Sequence, residues 1–351
     1  MPYPLLRSER RRKGVTYGHN YEDYLFISAR IRAKENFLIG RADLLTMASA
    51  GSAEELYRML DDKGVITEND VRNGRDYDTA LSKRLSDAFS SVLSDITEKK
   101  LFAVLTYPYD CHNLKTAIKY LHKGVSGKRI MIPLGSVAPE KTEAAVIKGE
   151  EAELPRNMAA AAKIASDEFC KTKDPSVIDL IVDYACFEDM AEAVSEYSAP
   201  FMREILALKA DTVNVYTAVR IARRCSGKAF TPPEKTFVVG GKLPIDTFDG
   251  LFDGSDADEV IGRLADKLAV TEYADMASEL RKDGTDIGKL CDDVYMSKVR
   301  QARQTLAGVE VAAGYLAASE YEVKNLRILI AGKRAGMNAR SIIERLRESY
   351  V

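Results

Sequence analysis

Three stretches of the chain repeat one order of polar and apolar positions. After Asn113, in and beyond "YDCHNLKTAI" (109–118), come Leu114, Ala117, Ile118 and Leu121. After Asn214 in "ADTVNVYTAV" (210–219) come Val215, Ala218, Val219 and Ala222, and after Asn325 in "YEVKNLRILI" (321–330) come Leu326, Leu329 and Ile330. Apolar residues at i, i+3, i+4 and i+7 form a single stripe on an α-helix. Each stripe follows the same signature, an acid, two variable residues and an asparagine. The acids are Asp110, Asp211 and Glu322, and the asparagines are Asn113, Asn214 and Asn325. This order predicts an acid near the start of each helix, where a carboxylate accepts backbone N–H groups and meets the positive end of the dipole. Asparagine is a mediocre helix former. A buried side chain bonding across to a neighbouring helix would justify it, so these six residues read as repeated capping and packing positions or as a contact surface presented three times.

The rest of the chain reads as helix too. No proline occurs between Leu5 and Tyr107 or after Pro244, and these tracts are rich in Ala, Leu, Glu, Lys and Arg. Helices are expected at 22–35, at 52–60 with Ser52 and Glu55 as a capping box, at 256–268, at 271–284 and at 338–350. "KRIMIPLG" (128–135) and "KTFVVGG" (235–241) are short apolar runs ending in glycine, and they read as connectors, not as parts of a sheet.

A second landmark recurs. "FLIGRADLL" (37–45), "IPLGSVAPE" (132–140) and "VVGGKLPID" (238–246) each show apolar residues, a glycine turn and a new start. Gly40 precedes Asn113 by 73 residues, Gly135 precedes Asn214 by 79, and Gly240 precedes Asn325 by 85. Near-equal spacing of two landmarks predicts three units of one design. The segments at 22–35 and 338–350 resemble the two missing halves of a further unit. The expected architecture is all-α, with a basic arm at 1–14 and three similar helical modules at 15–125, 126–230 and 231–351.

Composition narrows the function classes. The 351 residues are 46% hydrophobic, which suffices for packed cores and excludes global disorder. Charged residues make up 30%, but 51 Lys and Arg against 53 Asp and Glu leave a net charge of −2, no reason to propose nucleic acid as a partner. No window approaches the length of uninterrupted apolar sequence that crosses a bilayer. The start, "MPYPLLRSERRRKG", is basic but lacks the apolar core of a signal peptide. Arg10, Arg11, Arg12 and Lys13 read as a solvated arm, or as a contact with anionic lipid head groups or an acidic partner.

Catalytic motifs fail one by one. "YDCHNLK" (109–115) places Cys111, His112 and Asn113 side by side, but helix neighbours point in different directions and a triad must converge in space. The five cysteines, Cys111, Cys170, Cys186, Cys225 and Cys291, form no C-x-x-C pair, and there are three histidines. Neither zinc nor a disulfide framework is suggested, and reduced thiols in the cytosol are expected. "GVSGKR" (124–129) has His122 where a P-loop needs glycine and Arg129 where it needs Ser or Thr. "VVGG" (238–241) lacks the context of a dinucleotide fingerprint. No cofactor or metal is expected. The remaining enzyme alternative would use Cys111 or Cys225 as nucleophile, and would need a depressed thiol pKa.

The motifs carry a family likeness. "YDCHNLK", the Asp211-x-x-Asn214 copy, "VVGGKLP", "YEVKNLRILIAGKRAGMNARSIIERLRESYV" (321–351) and "FISARIRAKENFLIGRADLL" (26–45) resemble the C subunit of bacterial and archaeal V-type or A-type ATPases (ATP synthases), the family that includes the eukaryotic d subunit. The likeness spans residues 15–351. It implies a funnel of three helical modules around a pseudo-threefold axis. It implies a non-catalytic central-stalk subunit between the rotor shaft (subunits of D and F type) and the membrane ring, passing torque during proton or sodium transport or ATP synthesis. It implies a peripheral position on the cytoplasmic face of the membrane. The alternative is a free-standing helical-repeat scaffold for other soluble proteins.

Overall fold

The polar–apolar periods resolve into helices almost throughout. The computed structural model describes residues 24–67, 77–149 and 153–351, and among these no strand forms; an isolated antiparallel bridge joins Ala229 and Asp253. Arg10, Arg11, Arg12 and Lys13 lie outside the described residues. The chain runs through α1 (Leu25–Glu35), α2 (Arg41–Ala48), α3 (Ala53–Asp62), α4 (Tyr77–Leu93) and the long α5 (Ala103–Lys123). Then come α6 (Pro139–Lys148), α7 (Arg156–Thr172), α8 (Ser176–Ser195) and α9 (Pro200–Arg224). Last are α10 (Ala257–Ala269), α11 (Ala274–Leu280), α12 (Ile287–Val299), α13 (Val309–Arg334) and α14 (Ala339–Ile343). No described helix is long and apolar enough to cross a membrane.

Local chemistry sets the ends. Pro139 and Pro200 open α6 and α9, where the missing N–H has no intrahelical partner to lose. Ser52, Asp256, Asp286 and Asn338 cap α3, α10, α12 and α14 through side-chain oxygens. Glu55 completes the turn before α3 by accepting from Gly51 N–H at 2.6 Å. Two expected helices are shorter than the sequence pattern indicates. The one at 271–284 contracts to α11, and the one at 338–350 stops at Ile343, because the residues beyond give their main chain to side chains of other elements.

The three signature-bearing helices, α5, α9 and α13, touch one another pairwise. Each is covered by the helix that precedes the next one along the chain: α8 packs on α5, and α12 packs on α9. α4, from the start of the chain, packs on α13 and closes the circle. The short helices follow the same rule, α6 on α5, α10 on α9, and α2 with α3 on α13. Because α13 is covered by so many elements, it is buried on nearly every side, and its small residues Ala312, Ala313, Gly314, Ala317 and Ala318 allow that close approach. One apolar core links the first and last parts of the chain. A second joins Val215, Ala218, Val219 and Ala222 of α9 to Phe248, Leu264, Leu268 and Met276, spanning both sides of residue 230.

Pro108 sits inside α5 rather than at its start. A proline there cannot donate to the carbonyl four residues back, that of Val104. Lys209 of α9 supplies the missing donor, its Nζ lying 3.2 Å from the Val104 oxygen. The kink-prone position is thereby stitched to the neighbouring helix.

Candidate functional site

The acids do not lie in first turns. α5 begins at Ala103, α9 at Pro200 and α13 at Val309, so Asp110, Asp211 and Glu322 lie well inside their helices. There they cannot cap their own helix ends. Each instead takes donors from a loop packed on the helix. Asp110 Oδ2 accepts from Ser136 N–H at 2.8 Å and from Ser136 Oγ–H at 2.7 Å, and Oδ1 accepts from Val137 N–H at 3.0 Å. Asp211 Oδ2 accepts from Lys242 N–H at 2.9 Å and from the Tyr273 hydroxyl at 2.6 Å, and Oδ1 accepts from Leu243 N–H at 3.1 Å. Two successive backbone N–H groups and one side-chain hydroxyl thus hold each aspartate. Such charge-assisted bonds are short and strong.

The asparagines repeat one geometry three times. Asn113 donates to the Ile132 carbonyl at 2.8 Å and accepts from Ile132 N–H at 2.8 Å. Asn214 does the same with Val238, at 2.9 and 2.7 Å. Asn325 does it with Arg347, at 3.1 and 2.8 Å. The partner is therefore the main chain of a loop residue, not a neighbouring helix. A primary amide matches the donor and acceptor of one peptide residue, the match a β-ladder makes, so it satisfies loop groups that no sheet or helix reaches.

The third copy draws on both ends of the chain. Arg347 near the C-terminus serves Asn325, while Glu322 Oε1 accepts from Ile39 N–H at 2.7 Å. Arg41 N–H donates to the Val351 carbonyl at 3.2 Å, so the two segments meet. Arg84 of α4 provides the remaining donors, its Nε 2.7 Å from Glu322 Oε2 and its Nη2 3.1 Å from Oε1. Burial alone would depress the Arg84 guanidinium, but its bond to Glu322 outweighs this and holds the pKa above the ordinary value.

Space and charge are matched to these bonds. A Cβ on Gly135 would lie 2.1 Å from Asp110 Oδ1, and one on Gly241 would lie 2.0 Å from Asp211 Oδ1. Glycine is needed at both for room. Asp110, Asn113 and Asp211 are fully or almost fully buried. Burial raises the pKa of Asp110 and Asp211 above the usual carboxylate range, while the hydrogen bonds just described pull it back. The Tyr273 hydroxyl is pushed up by burial and by Asp211 beside it.

The neighbours Cys111, His112 and Asn113 diverge. The Cys111 thiol lies 3.1 Å from Asp183, His112 Nε2 lies 3.1 Å from the Ile130 carbonyl, and Asn113 faces Ile132. A hydrogen bond to Cys186, together with burial, pushes the Cys111 thiol well up, the opposite of an activated nucleophile. Cys225 is the C-cap of α9, its N–H given to the Ile221 carbonyl at 2.8 Å. No group of three His, Cys, Asp or Glu side chains able to hold a metal occurs among the described residues. The arrangement can bind loops to helices; it offers no converging acid, base and nucleophile.

Sequence reasoning overlooked Gly241, Tyr273, Arg84 and Lys209. Gly241 had a signal. It stands three residues after Val238, the partner of Asn214, as Gly135 stands three after Ile132, the partner of Asn113. The other three complete the sites from distant elements and share no residue type, so no repeat marks them.

The profile of the ATP synthase (C/AC39) subunit family matches residues 27–345. The C subunit of the V-type sodium ATPase of Enterococcus hirae is 25% identical over 338 residues, which cover 93% of this chain and 99% of that protein. The C subunit of the A-type ATP synthase of Methanocaldococcus jannaschii is 26% identical, covering 88% of this chain and 82% of its own. The C subunit of the V-type ATP synthase of Thermus thermophilus is 23% identical, covering 88% and 93%.

Proposed function

The chain belongs to the ATP synthase (C/AC39) subunit family, and from that membership we propose that it is the C subunit of a rotary V/A-type ATPase. In this reading it is an accessory subunit that makes and breaks no bonds. It stands in the central stalk, between the D- and F-type shaft subunits and the membrane ring, and passes torque between them while ions cross the membrane. It is held peripherally at the cytoplasmic face through those partners. The three signature helices with their hubs and covering helices act as three modules around the stalk axis.

The observation that carries the mechanical part of this reading is the triple anchor. Three long helices in mutual contact each hold a loop at mid-length through buried, paired side chains. Close-packed helices with polar cross-links resist shear, which a torque adaptor requires. The test is reconstitution of head, shaft and membrane ring with and without this chain. ATP hydrolysis should persist in both, and ATP-driven ion movement should require the chain. Full coupling in its absence would overturn the reading, and so would failure of the chain to co-purify with shaft or ring subunits.

A further inference from the structure

Two buried cysteines face each other across the seam between α5 and α8. Cys111 of α5 is 4% exposed and Cys186 of α8 is 3% exposed, and their thiols are hydrogen-bond partners. The seam fixes their register. The Cys111 Sγ lies 3.9 Å from the Val182 carbonyl and 3.1 Å from Asp183 Oδ1, so it sits against the turn of α8 that runs from Val182 to Cys186. From the other side, Tyr107, one turn before Cys111, is close enough to Cys186 to feel the charge of its thiolate.

The second copy of the signature supplies a contrast. The position after the acid is Cys111 in the first copy, Thr212 in the second and Val323 in the third. The covering helix α12 also presents a cysteine there, Cys291, whose Sγ lies 3.4 Å from the Thr212 carbonyl. The seam is built alike in both copies, and only the first places two thiols in it. The loop anchor of α5 uses neither thiol, since Asp110 and Asn113 make it.

We propose that Cys111 and Cys186 are a redox latch, which a small disulfide of the glutathione type converts to a reversible bond fastening α5 to α8. The reading of the chain as a rotary ATPase subunit is not needed for this. The exchange balances in two steps. One cysteine gives its proton to solvent, and its thiolate attacks the small disulfide. A mixed disulfide forms, the small S–S bond breaks and one small thiolate leaves. The second cysteine, likewise deprotonated, attacks the mixed disulfide, closes the bond between Cys111 and Cys186 and expels the second small thiolate. The two small thiolates take up the two protons, so the protein dithiol is oxidised and the small disulfide reduced by two electrons. Closing the contact to the roughly 2 Å of a disulfide asks for side-chain rotation and a small approach of the helices.

The latch closes slowly in the resting fold. The Cys111 sulfur lies directly behind Asp183, whose side chain is 40% exposed and paired with Lys115. Movement of that ion pair opens the route to solvent. Asp183 accepts from the thiol and its charge opposes ionisation, while Lys115 favours it.

The test treats the full chain, carrying Cys170→Ser to remove the exposed thiol, with glutathione disulfide below its melting temperature. Alkylation, proteolysis and mass spectrometry follow. Expected is a peptide pair joining Cys111 to Cys186, lost on reduction with dithiothreitol, while Cys291 stays free to alkylate. The latched protein should melt about 2–6 °C higher, because the bond ties residues 75 apart in sequence. Asp183→Asn should form the link several-fold faster than Lys115→Met, although both break the same ion pair. Equal rates would mean that the bond forms through unfolding, and would overturn the latch. Glutathione held on either cysteine without the pair, or the pair appearing only in urea, overturns it too. An unchanged or lower melt of the linked protein shows a bond that does not fasten the helices, and does the same.

Discussion

Replacing Gly135 by alanine tests whether the loop anchors are as tight as their geometry. The new Cβ would lie 2.1 Å from Asp110 Oδ1 and 2.7 Å from its Cγ, so the carboxylate must withdraw. Withdrawal gives up the bonds from Ser136 N–H, Ser136 Oγ–H and Val137 N–H. Hydrogen bonds to charged groups contribute roughly 1.5–3 kcal/mol each, and a loop that shifts to recover part of them leaves a net cost of about 3–5 kcal/mol. Unfolding entropy of roughly 2.1 cal/mol/K per residue gives a chain of this length about 0.7 kcal/mol/K, so melting as one unit should fall by roughly 4–7 °C. The assay is calorimetric or dichroic melting of Gly135→Ala, of Asp110→Ala and of the pair together. Asp110→Ala opens the space that the new methyl needs, so the double variant should be little worse than Asp110→Ala alone. A shift under about 1 °C for the glycine variant, or simple additivity in the pair, would refute the claim that Gly135 exists to admit the carboxylate.

Gly241→Ala should cost as much as Gly135→Ala, and Gly40→Ala less, because its added Cβ would meet the Val351 carbonyl only at 3.3 Å; urea melts of the three variants rank them. Lys209→Met should cost about 1–3 kcal/mol by leaving the buried Val104 carbonyl without a donor. In a Pro108→Ala background, where the backbone N–H returns, the same change should cost much less, and equal costs in both backgrounds in denaturant melts would disprove the assignment. Deleting 347–351 removes the partner of Asn325 and the buried Tyr350, and should cost about 3–6 kcal/mol against roughly 1–3 for Asn113→Ala, read from urea midpoints. Burial raises the Asp211 pKa, so the folded state binds more protons than the unfolded one. The associated stability is greatest below the ordinary aspartate value of about 4 and declines as pH rises through the folded value. Tyr273→Phe removes a bond that lowers that pKa and should extend the decline further above the ordinary aspartate value; identical pH dependence of melting for variant and wild type would contradict this.

Much of the fold was readable because its period is short. The stripes after Asn113, Asn214 and Asn325 are buried as the 3.6-residue pattern requires, apart from half-buried Leu121, and the acid-x-x-Asn signatures mark helices that meet one another. Register along those helices was not readable. Pro108 looks like a helix boundary, and only the Lys209 side chain, 105 residues beyond the Val104 carbonyl it serves, makes it tolerable inside α5. The partners of the asparagines were hidden for another reason. A side chain that pairs with the main chain of a loop constrains no side chain there, so an arginine, Arg347, stands where the other two copies have the aliphatic Ile132 and Val238. The third donor at each acid is likewise interchangeable, supplied by Ser136, Tyr273 or Arg84. Arg41 and Val351 come together from far apart in sequence, and Arg347 to Val351 do so outside any helix.

The anchors bear on how a body made of many short helices could carry rotation. A helix packed through apolar contacts alone can slide, because dispersion has little direction. Asn113, Asn214 and Asn325 add direction, since each must release a donor and an acceptor together before its loop can move. Asp110 and Asp211 add a penalty for partial movement, because a buried carboxylate that loses its donors has no water to replace them. The circular covering of α5 by α8, α9 by α12 and α13 by α4 then passes a displacement of one loop to the next helix instead of to solvent. In the proposed role this order matters more than total stability. A load applied at α9 meets α12, which is tied to α13 through Tyr321 and Lys324 on Asp292, at 2.9 and 2.8 Å, and α13 is tied to α4 through Arg84 and Arg327. The third site closes that circuit by bringing together segments far apart in sequence, Arg41 N–H donating to the Val351 carbonyl at 3.2 Å.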